Sequence, residues 1–362
     1  MEETIHSVIH SIEDAERMSG EHIKEVYVSL GGDHLNSHTS TGVISVGTGE
    51  ITEEDVYRVL EASQAGQMNN ANQRIIRTIA RNFSIDEQHG IKDPVGMSGR
   101  RLEVDSHIIT GNDNHIKNLE RCITGAGLHV ADFIPASLAA AESVLNRRQK
   151  ELGVVSIDIG AGSTSLVVYE EGTPIYTSIL PIGGESITND IAIGLRVSLD
   201  TAEKLKQEYG HAIPEEVSKR EEIHLKDISK VDTHSVEKHQ LSLIISARLN
   251  EIFYMIKEEL KYIHRDGMLP AGAIITGGAV RMPGVADIAR DTLNLPVQIG
   301  FPQDIDGIVE HIDDPSYATA IGLLLYGGRH GSKSNNGASP INIKMPDFLG
   351  AFGDLFKNLL PK

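Results

Sequence analysis

The chain has 362 residues, of which 51 are acidic and 33 are basic, so its formal net charge is -18. Hydrophobic residues make up 40% of the sequence and charged residues 23%, which is typical of a folded globular protein with more than one domain. The acidity argues against a nucleic-acid binder, because phosphate recognition needs lysine and arginine, and it would also repel an anionic membrane surface.

Cysteine usage and hydropathy indicate the compartment. Cys122 is the single cysteine, so the chain cannot form an internal disulfide, and its place in a helical pattern predicts packing rather than reactivity. No apolar run reaches the roughly 20 residues of a membrane-spanning helix, and the N-terminus lacks a signal-peptide pattern. These features predict a cytoplasmic protein in which any membrane contact is made by a local apolar segment.

In the first third of the chain, Ile5, Val8, Ile9 and Ile12 recur at helical spacing and predict a helix that ends near Gly20. Alternating apolar residues at 23–30 predict a strand, and Thr52 with Asp55 predicts the start of a second helix. A loop with several Gly and Pro residues then leads into a strand at 102–110. A helix at 114–128 follows.

From residue 152 the pattern becomes richer in strands. Two apolar runs flank a Gly/Ser/Thr turn and predict a hairpin, and helices are expected at 185–195 and 200–210. The stretch from Glu215 to His239 is predicted to be a solvated insertion. A long helix from Leu241, a strand ending at Gly277, a helix beginning at Pro283 and a helix at 315–327 complete an α/β pattern.

The strongest candidate site begins where an apolar strand ends at Asp158. Gly160 and Gly162 lack a Cβ atom, so the backbone can approach a ligand closely. The turn amides and the hydroxyls of Ser163 and Thr164 suit phosphate oxygens. A carboxylate beside phosphates requires a cation, so Asp158 is predicted to hold Mg²⁺ through water. The alternative, an ordinary glycine-rich turn capped by Asp158, stays open on spacing alone.

Two further segments could contact a nucleotide. Gly277 and Gly278 follow an apolar strand, where backbone amides can lie against a ligand, although an ordinary strand-to-helix turn would have the same pattern. Glu203 and Lys206 share one helix face and could flank an adenine base and its ribose. Alternatively, Asp200 and Glu203 form a capping box at the helix start.

The C-terminus carries an amphipathic pattern behind a Gly/Ser/Asn-rich segment that is typical of a flexible linker. A tethered helix of this kind favours insertion into a membrane surface, and the alternatives are a partner groove or folding back onto the body. The predicted membrane-binding residues are Phe348, Leu349, Phe352, Leu355, Phe356, Leu359 and Leu360. Elsewhere, His6 and His10 lie one helical turn apart without a third ligand, which disfavours a metal site there.

Together these segments resemble the actin-like ATPase superfamily and, within it, the bacterial cell-division family FtsA. The stretch GIKDPVGMSG is the most specific, since it is similar to the small inserted subdomain of that family. The resemblance implies an α/β, actin-like (ribonuclease H-like) fold of two lobes with a small inserted α+β subdomain and a C-terminal amphipathic helix. It also implies ATP and Mg²⁺ in the cleft between the lobes.

The resemblance further implies a division of the chain and a set of cofactor-binding residues. The domains are a remnant of the first lobe (1–30), the inserted subdomain (31–130), the first lobe with the second phosphate loop (131–185), the second lobe (186–313), a closing helix (314–328), a linker (329–344) and the membrane-targeting helix (345–362). The second phosphate loop comprises Asp158, Gly160, Gly162, Ser163 and Thr164. The adenosine-side residues are Glu203, Lys206, Gly277, Gly278 and Ala279.

As a function, the resemblance implies a protein that polymerises under the cytoplasmic membrane at the division septum. It would bind the C-terminal tail of FtsZ through its second lobe and recruit later septal proteins. Members of the superfamily begin with a strand and a first phosphate loop, Asp-x-Gly-Thr-x-Lys, whereas this chain opens in a helix. The expectation is therefore weak ATP binding and negligible hydrolysis by this chain alone.

Two smaller departures and two rival interpretations remain. Ser165 stands where the family often has Asp, and the tail is less basic than usual, so attachment should depend on apolar insertion and avidity. The phosphate loop also resembles exopolyphosphatases and sugar kinases, which need a catalytic acid and a substrate pocket that the sequence does not identify. An actin-like pilus-assembly adaptor is the other rival, against which the inserted subdomain and the tail both argue.

Overall fold

The computed structural model describes residues 1–47, 49–66, 72–303, 312–330 and 343–344. The helices in chain order are α1 (Glu2–Ser19), α2 (Glu53–Gln64), α3 (Asp113–Gly125), α4 (Ala136–Val144), α5 (Arg147–Leu152), α6 (Gly184–Leu195), α7 (Leu199–Tyr209), α8 (Lys238–Tyr262), α9 (Val285–Leu293) and α10 (Ala318–His330).

The strands in chain order are β1 (Glu25–Leu30), β2 (Leu35–Ser45), β3 (Gln73–Ile85), β4 (Gln88–Ile91), β5 (Arg101–Asn112), β6 (His129–Pro135), β7 (Val154–Ile159), β8 (Thr164–Glu170), β9 (Thr173–Leu180), β10 (Glu222–His224), β11 (Ser235–Glu237), β12 (Ala273–Thr276), β13 (Val297–Ile299) and β14 (Ile343–Lys344).

The N-terminal elements follow the predicted periodicity. Helix α1 ends at Gly20, which adopts a left-handed conformation with φ 74° and donates its amide to the carbonyl of Glu16. Strand β1 pairs in parallel with β6, and these two strands form a sheet of their own. No residue of α1 is fully buried, and the helix packs against α3. Cys122 is buried in α3, as predicted.

A five-stranded sheet has the order β14-β3-β5-β2, with β4 also paired to β3, and α2 packs on one face of it. Its pairs are antiparallel except that of β14 with β3. Its core contains Val59, Phe83 and Leu102. The predicted capping box at the start of α2 is confirmed, because the Thr52 hydroxyl accepts from the amide of Asp55 and the Asp55 carboxylate accepts from the amide of Thr52. The long strands β2 and β3 were not predicted from the sequence.

A second sheet has the strand order β13-β12-β7-β8-β9. Strands β13, β12 and β7 run parallel, whereas β7, β8 and β9 form the predicted antiparallel hairpin and its continuation. Alternate residues of β7 face opposite layers: Val155 and Ile157 pack in the core that holds α6, α8 and α9, and Val154 packs with α4. Burial on both faces explains the nearly continuous apolar run of β7.

This sheet spans a boundary drawn from the sequence. The sequence expectation assigned residues 131–185 and 186–313 to different lobes. In the structure, β7 at 154–159 and β12 at 273–276 are neighbours, with Thr276 aligned to Asp158. The pairing joins segments more than a hundred residues apart, so no local sequence pattern indicates it.

The predicted solvated insertion at 215–239 is wrong in one respect. Ile223 of β10, Val236 of β11 and Leu225, which follows β10, are buried in the same core as β7 and α8. The apolar positions are isolated among charged residues, so their burial depends on α8 covering them. The insertion is therefore a packed part of this unit with a charged outer surface.

Close backbone contact fixes α10 on α4. A Cβ atom added to Gly322 would overlap the carbonyl oxygen of Ala139, so the two helices approach at a position where only glycine can be accommodated. Next to them, the buried Arg77 of β3 pairs with Asp132 of β6 at 2.6 Å and donates to the Tyr326 hydroxyl of α10 at 3.3 Å. This cluster ties the β2–β5 unit to α10.

Candidate functional site

The turn between β7 and β8 is the first component of the site. Gly160 donates its amide to the carbonyl of Ser163 at 3.0 Å, which closes the turn. Within the described part of the chain, the amides of Ala161 and Gly162 donate to no other protein group. Two adjacent open amides in a tight turn form a small concavity that suits an anion.

The N-terminus of helix α6 is hydrogen-bonded to the carbonyl groups of this turn. Its first amides are already used, because Gly184 donates to the carbonyl of Gly160 at 2.9 Å and Glu185 to that of Ala161 at 2.8 Å. A Cβ atom at the N-cap residue Gly183 would lie 2.5 Å from the Ala161 carbonyl oxygen, so this close approach requires glycine. An anion at the turn would therefore be bound by the turn amides, with the positive end of α6 behind them.

The polar side chains after β7 differ in their roles. The Thr164 hydroxyl is fully buried and donates to the carbonyl of Ile182 at 2.8 Å, so it holds the chain between β9 and α6 together. Asp158 accepts a hydrogen bond from the Thr319 hydroxyl at 2.9 Å. Burial raises the pKa of the Asp158 carboxyl, and the bond from Thr319 opposes that shift.

Asp158 offers one carboxylate for a metal ion. Among the described residues, no three His, Cys, Asp or Glu side chains come together as a metal site, and His10 pairs with Asp14 of its own helix at 3.2 Å. Magnesium usually keeps several waters and takes one or two carboxylates together with substrate phosphates. The donor set therefore fits a water-mediated magnesium ion at Asp158 and does not fit a cage built from protein ligands alone.

Helix α7 contributes the second component. Its N-cap is Ser198, whose hydroxyl accepts from the amide of Thr201 at 3.3 Å, so the alternative capping box of Asp200 and Glu203 is wrong. The Glu203 carboxylate is instead turned toward α6. One oxygen accepts from Lys206 at 2.6 Å and from the Thr188 hydroxyl at 2.5 Å.

The other oxygen of Glu203 accepts from the amide group of Gln207 at 2.7 Å. Burial raises the pKa of Glu203, but the hydrogen bonds from Lys206, Thr188 and Gln207 outweigh it and hold the pKa below its ordinary value. The carboxylate is therefore ionised at neutral pH and acts only as a hydrogen-bond acceptor.

The third component is the turn after β12. Gly277 has φ 94° and ψ 169°, a conformation restricted to glycine, and an added Cβ would lie 2.5 Å from the carbonyl oxygen of Ile159 and even closer to the Asp158 carboxylate. A single 3₁₀ turn follows at Gly278–Arg281. Helix α9 is capped by Gly284, so Pro283 precedes the cap instead of occupying the first turn as predicted.

Residues 314–319 connect this turn to α10. The Pro315 carbonyl accepts from the amide of Gly277 at 3.1 Å and from the Thr276 hydroxyl at 3.0 Å. Arg281 forms an ion pair with Asp314 at 3.2 Å, although its side chain is 63% exposed. Together with the bond from Thr319 to Asp158, these contacts fix the start of α10 against the ends of β7 and β12.

The three components surround one cleft of about 400 Å³, a volume within the range of small-molecule sites. Five predicted residues line it: Gly160, Glu203, Lys206, Gly278 and Ala279. The other predicted residues do not line it: Asp158, Gly162, Ser163, Thr164 and Gly277.

Two further lining residues carry polar side chains and were not identified as site residues from the sequence: Gln207 and Arg281. Gln207 follows Glu203 by one helical turn, which is a signal that could have identified it. The predicted tail residues from Phe348 to Leu360 lie outside the described residues. None of the helices in the described ranges is long and apolar enough to cross a membrane.

Comparison with known proteins assigns the family and the fold class. The model for the FtsA cell division protein matches residues 155–322, and the model for the SHS2 domain inserted in FtsA matches residues 32–110. The FtsA of Pseudomonas aeruginosa is 35% identical over 327 residues, which is 90% of this chain and 78% of that protein. The FtsA of Bacillus subtilis is 36% identical over 349 residues, or 96% of this chain and 77% of that protein.

Solved structures agree on the architecture. The PilM-PilN type IV pilus biogenesis complex superposes with a TM-score of 0.61 at 16% identity, covering 89% of this chain and 84% of that one. MreB5 of Spiroplasma citri bound to ADP gives 0.51 at 17% identity, covering 62% and 68%. These similarities confirm the predicted actin-like α/β fold with its inserted subdomain, and the sequence relatives show that the chain belongs to the FtsA family of cell division proteins.

Proposed function

We propose that this protein acts in bacterial cell division as an ATP-binding, membrane-attached adaptor for FtsZ. In this role it polymerises on the cytoplasmic face of the membrane at the septum, binds the FtsZ tail through the unit that contains α7 and α8, and recruits later septal proteins. The proposal of nucleotide binding rests on one observation: the turn after β7, the ionised carboxylate of Glu203 and the glycine turn after β12 all lie around one cleft.

Each component has a distinct part in binding ATP. The open amides of Ala161 and Gly162 would donate hydrogen bonds to phosphate oxygens, supported by the N-terminus of α6. Glu203, Gly278 and Ala279 line the cleft, so the Glu203 carboxylate would accept hydrogen bonds from the sugar and the backbone of Gly278 and Ala279 would contact the base. Asp158 would hold Mg²⁺ through water, and a bound ion would supply the positive charge that phosphate groups near this carboxylate require.

The nucleotide proposal is tested by filling the cleft. A Cβ atom at Gly278 meets nothing within 4 Å and the residue lines the cleft, so Gly278→Leu should fold normally and remove ATP binding measured by equilibrium dialysis with Mg²⁺. Gly47→Leu is a matched control, since Gly47 also has open space around it and does not line the cleft. Equal ATP binding by wild type and Gly278→Leu would refute the cleft as the nucleotide site.

The membrane proposal rests on the amphipathic sequence of residues 345–362. Phe352 and Phe356 lie at the centre of its apolar stripe, whereas Asp354 belongs to the polar face. Charges on the stripe should prevent insertion, so the double variant Phe352→Glu/Phe356→Glu should stay in the supernatant when wild type sediments with phosphatidylcholine/phosphatidylglycerol liposomes.

Asp354→Gln is the control and should sediment like wild type. Equal sedimentation of wild type and the double phenylalanine variant would rule out the anchor. The partner proposal is tested separately by fluorescence anisotropy of a labelled peptide carrying the C-terminal tail of FtsZ. A saturable rise in anisotropy is expected, and its absence would rule out the FtsZ interaction.

A further inference from the structure

We propose that Thr188 is a positioning residue for nucleotide recognition: it aims the carboxylate of Glu203 at the sugar hydroxyls and thereby gives the cleft a preference for ribonucleotides over deoxyribonucleotides. This inference rests on the proposed ATP binding in the cleft. It concerns a buried threonine on α6 that no sequence motif identified.

The partners of the Thr188 hydroxyl determine which of its hydrogen bonds it donates and which it accepts. Its hydroxyl lies 2.7 Å from Lys206 Nζ, and because an ammonium group can only donate, the threonine oxygen accepts there. The single hydroxyl hydrogen is then directed to Glu203 Oε2 at 2.5 Å, a closer acceptor than the Gly184 carbonyl at 3.1 Å. Thr188 is therefore a relay between Lys206 and Glu203.

Lys206 is fully engaged in this arrangement. Its ammonium group donates to the carbonyl of Gly184 at 3.0 Å, to Thr188 at 2.7 Å and to Glu203 at 2.6 Å, which accounts for its three hydrogens. A phosphate group could recruit this ammonium only by breaking one of these bonds. Lys206 therefore helps to hold Glu203 and is not a free cation for the ligand.

Glu203 keeps acceptor capacity on one side only. Its Oε2 atom accepts two hydrogen bonds, whereas Oε1 accepts one, from Gln207, and a carboxylate oxygen can accept two. Glu203 and Gln207 both line the cleft. The remaining lone pair of Oε1 is therefore the position at which a donor from the ligand can bind.

The chemistry of that position selects the ligand class. An ionised carboxylate accepts hydrogen bonds and cannot donate them, so it recognises the hydroxyl groups of a sugar, which can donate. A deoxynucleotide lacks one donor and would leave the remaining acceptor position of Glu203 Oε1 without a partner from the sugar. A hydrogen bond to a charged group of this kind corresponds to a preference of about tenfold or more.

The test measures a ratio of affinities. Displacement of ATP labelled with a fluorophore on the base gives inhibition constants for ATP, 2′-deoxyATP and 3′-deoxyATP with the full chain. Wild type should prefer ATP over at least one deoxynucleotide by about tenfold. Thr188→Val should reduce that preference to about twofold, because Glu203 then keeps only Lys206 and Gln207 as partners and its orientation is less strictly fixed. Thr188→Ser should retain it.

Two further variants keep the result decisive. Thr173→Val removes another buried threonine hydroxyl, which donates to the Glu170 carbonyl at 3.2 Å and does not line the cleft, and it should leave the ratio unchanged. Thr188→Ala also removes the hydroxyl and leaves a smaller side chain, and it decides the matter if Thr188→Val does not fold.

The outcomes separate this inference from the proposed function. Wild type that binds neither ATP nor the deoxynucleotides would contradict ATP binding itself. Wild type that binds all three equally, or a folded Thr188→Val or Thr188→Ala variant with the wild-type ratio, would overturn the role of Thr188 while ATP binding stands.

Discussion

Replacing Gly277 by alanine should destabilise the β13-β12-β7-β8-β9 sheet, while the same change at the next residue should not. Gly277 has φ 94° and ψ 169°, and its neighbours include the Asp158 carboxylate and the Ile159 carbonyl. Gly278 has ordinary backbone angles, and a Cβ atom there would meet nothing within 4 Å. The pair therefore separates a strained position from an unstrained one in the same turn.

The expected magnitude combines two costs. Forcing a residue with a Cβ atom into this region of backbone space costs about 1–3 kcal/mol. The overlap with the Ile159 carbonyl, at a distance of 2.5 Å, adds about 1–3 kcal/mol because main-chain atoms cannot rotate away. Gly277→Ala should therefore lower the free energy of unfolding by about 2–6 kcal/mol, and Gly278→Ala should change it by about 0.5 kcal/mol or less.

Differential scanning calorimetry is a suitable assay, because the sequence contains no tryptophan for fluorescence. For a unit of this size, the loss corresponds to a decrease in melting temperature of about 5 to 20 °C for Gly277→Ala. Gly278→Ala should melt within about 2 °C of wild type. Equal melting temperatures for the two variants would show that the turn relaxes freely and would refute the close approach of β7 and β12.

Three other predictions concern charge. Burial lowers the pKa of His107 to about 3, so the unfolded chain binds a proton more readily than the folded one. The free energy of unfolding should therefore fall as the pH drops below about 6.5, by about 2 kcal/mol at pH 5. His107→Gln should flatten this pH dependence in melting experiments, and an unchanged slope would contradict the prediction. Asp132→Ala leaves the buried Arg77 without its carboxylate and should cost about 3–5 kcal/mol of unfolding free energy by calorimetry, so wild-type melting would argue against a structural ion pair. Burial raises the pKa of Asp158, so magnesium-stimulated ATP binding in dialysis should weaken as the pH falls through a range above the ordinary value of 3.8. Asp158→Asn should remove the stimulation, and a stimulated variant would exclude this carboxylate as the ion's partner.

Local patterns determined the elements that could be predicted from the sequence. The apolar run before Asp158, the pair Thr52 and Asp55, and the terminating Gly20 each act within a few residues, and the structure contains all three features. Strand β2 is rich in serine and threonine and lacks a clear alternation, and its eleven residues are held by pairing with β5 along their whole length. Such a strand depends on its neighbour more than on its own composition.

The candidate site likewise combines residues that a local pattern identified with contacts that only the folded chain creates. The sequence indicated Glu203 and Lys206 because they share a helix face, and it left open whether Glu203 caps the helix. The structure decides this through Thr188 on another helix and through Ser198, which takes the cap. The neighbouring positions of Asp158 and Gly277 likewise depend on strand pairing across more than a hundred residues.

The segment from Asp314 to Thr319 makes α10 a mechanical extension of the cleft. Its first turn is bonded to the ends of two strands through Thr319 and the Pro315 carbonyl, and its middle is locked to α4 at Gly322. A helix held at two points has little freedom to change its direction, so the ends of β7 and β12 together with α4 set the course of α10 as far as His330. The chain continues from this fixed helix toward residues 345–362, the segment proposed to bind the membrane.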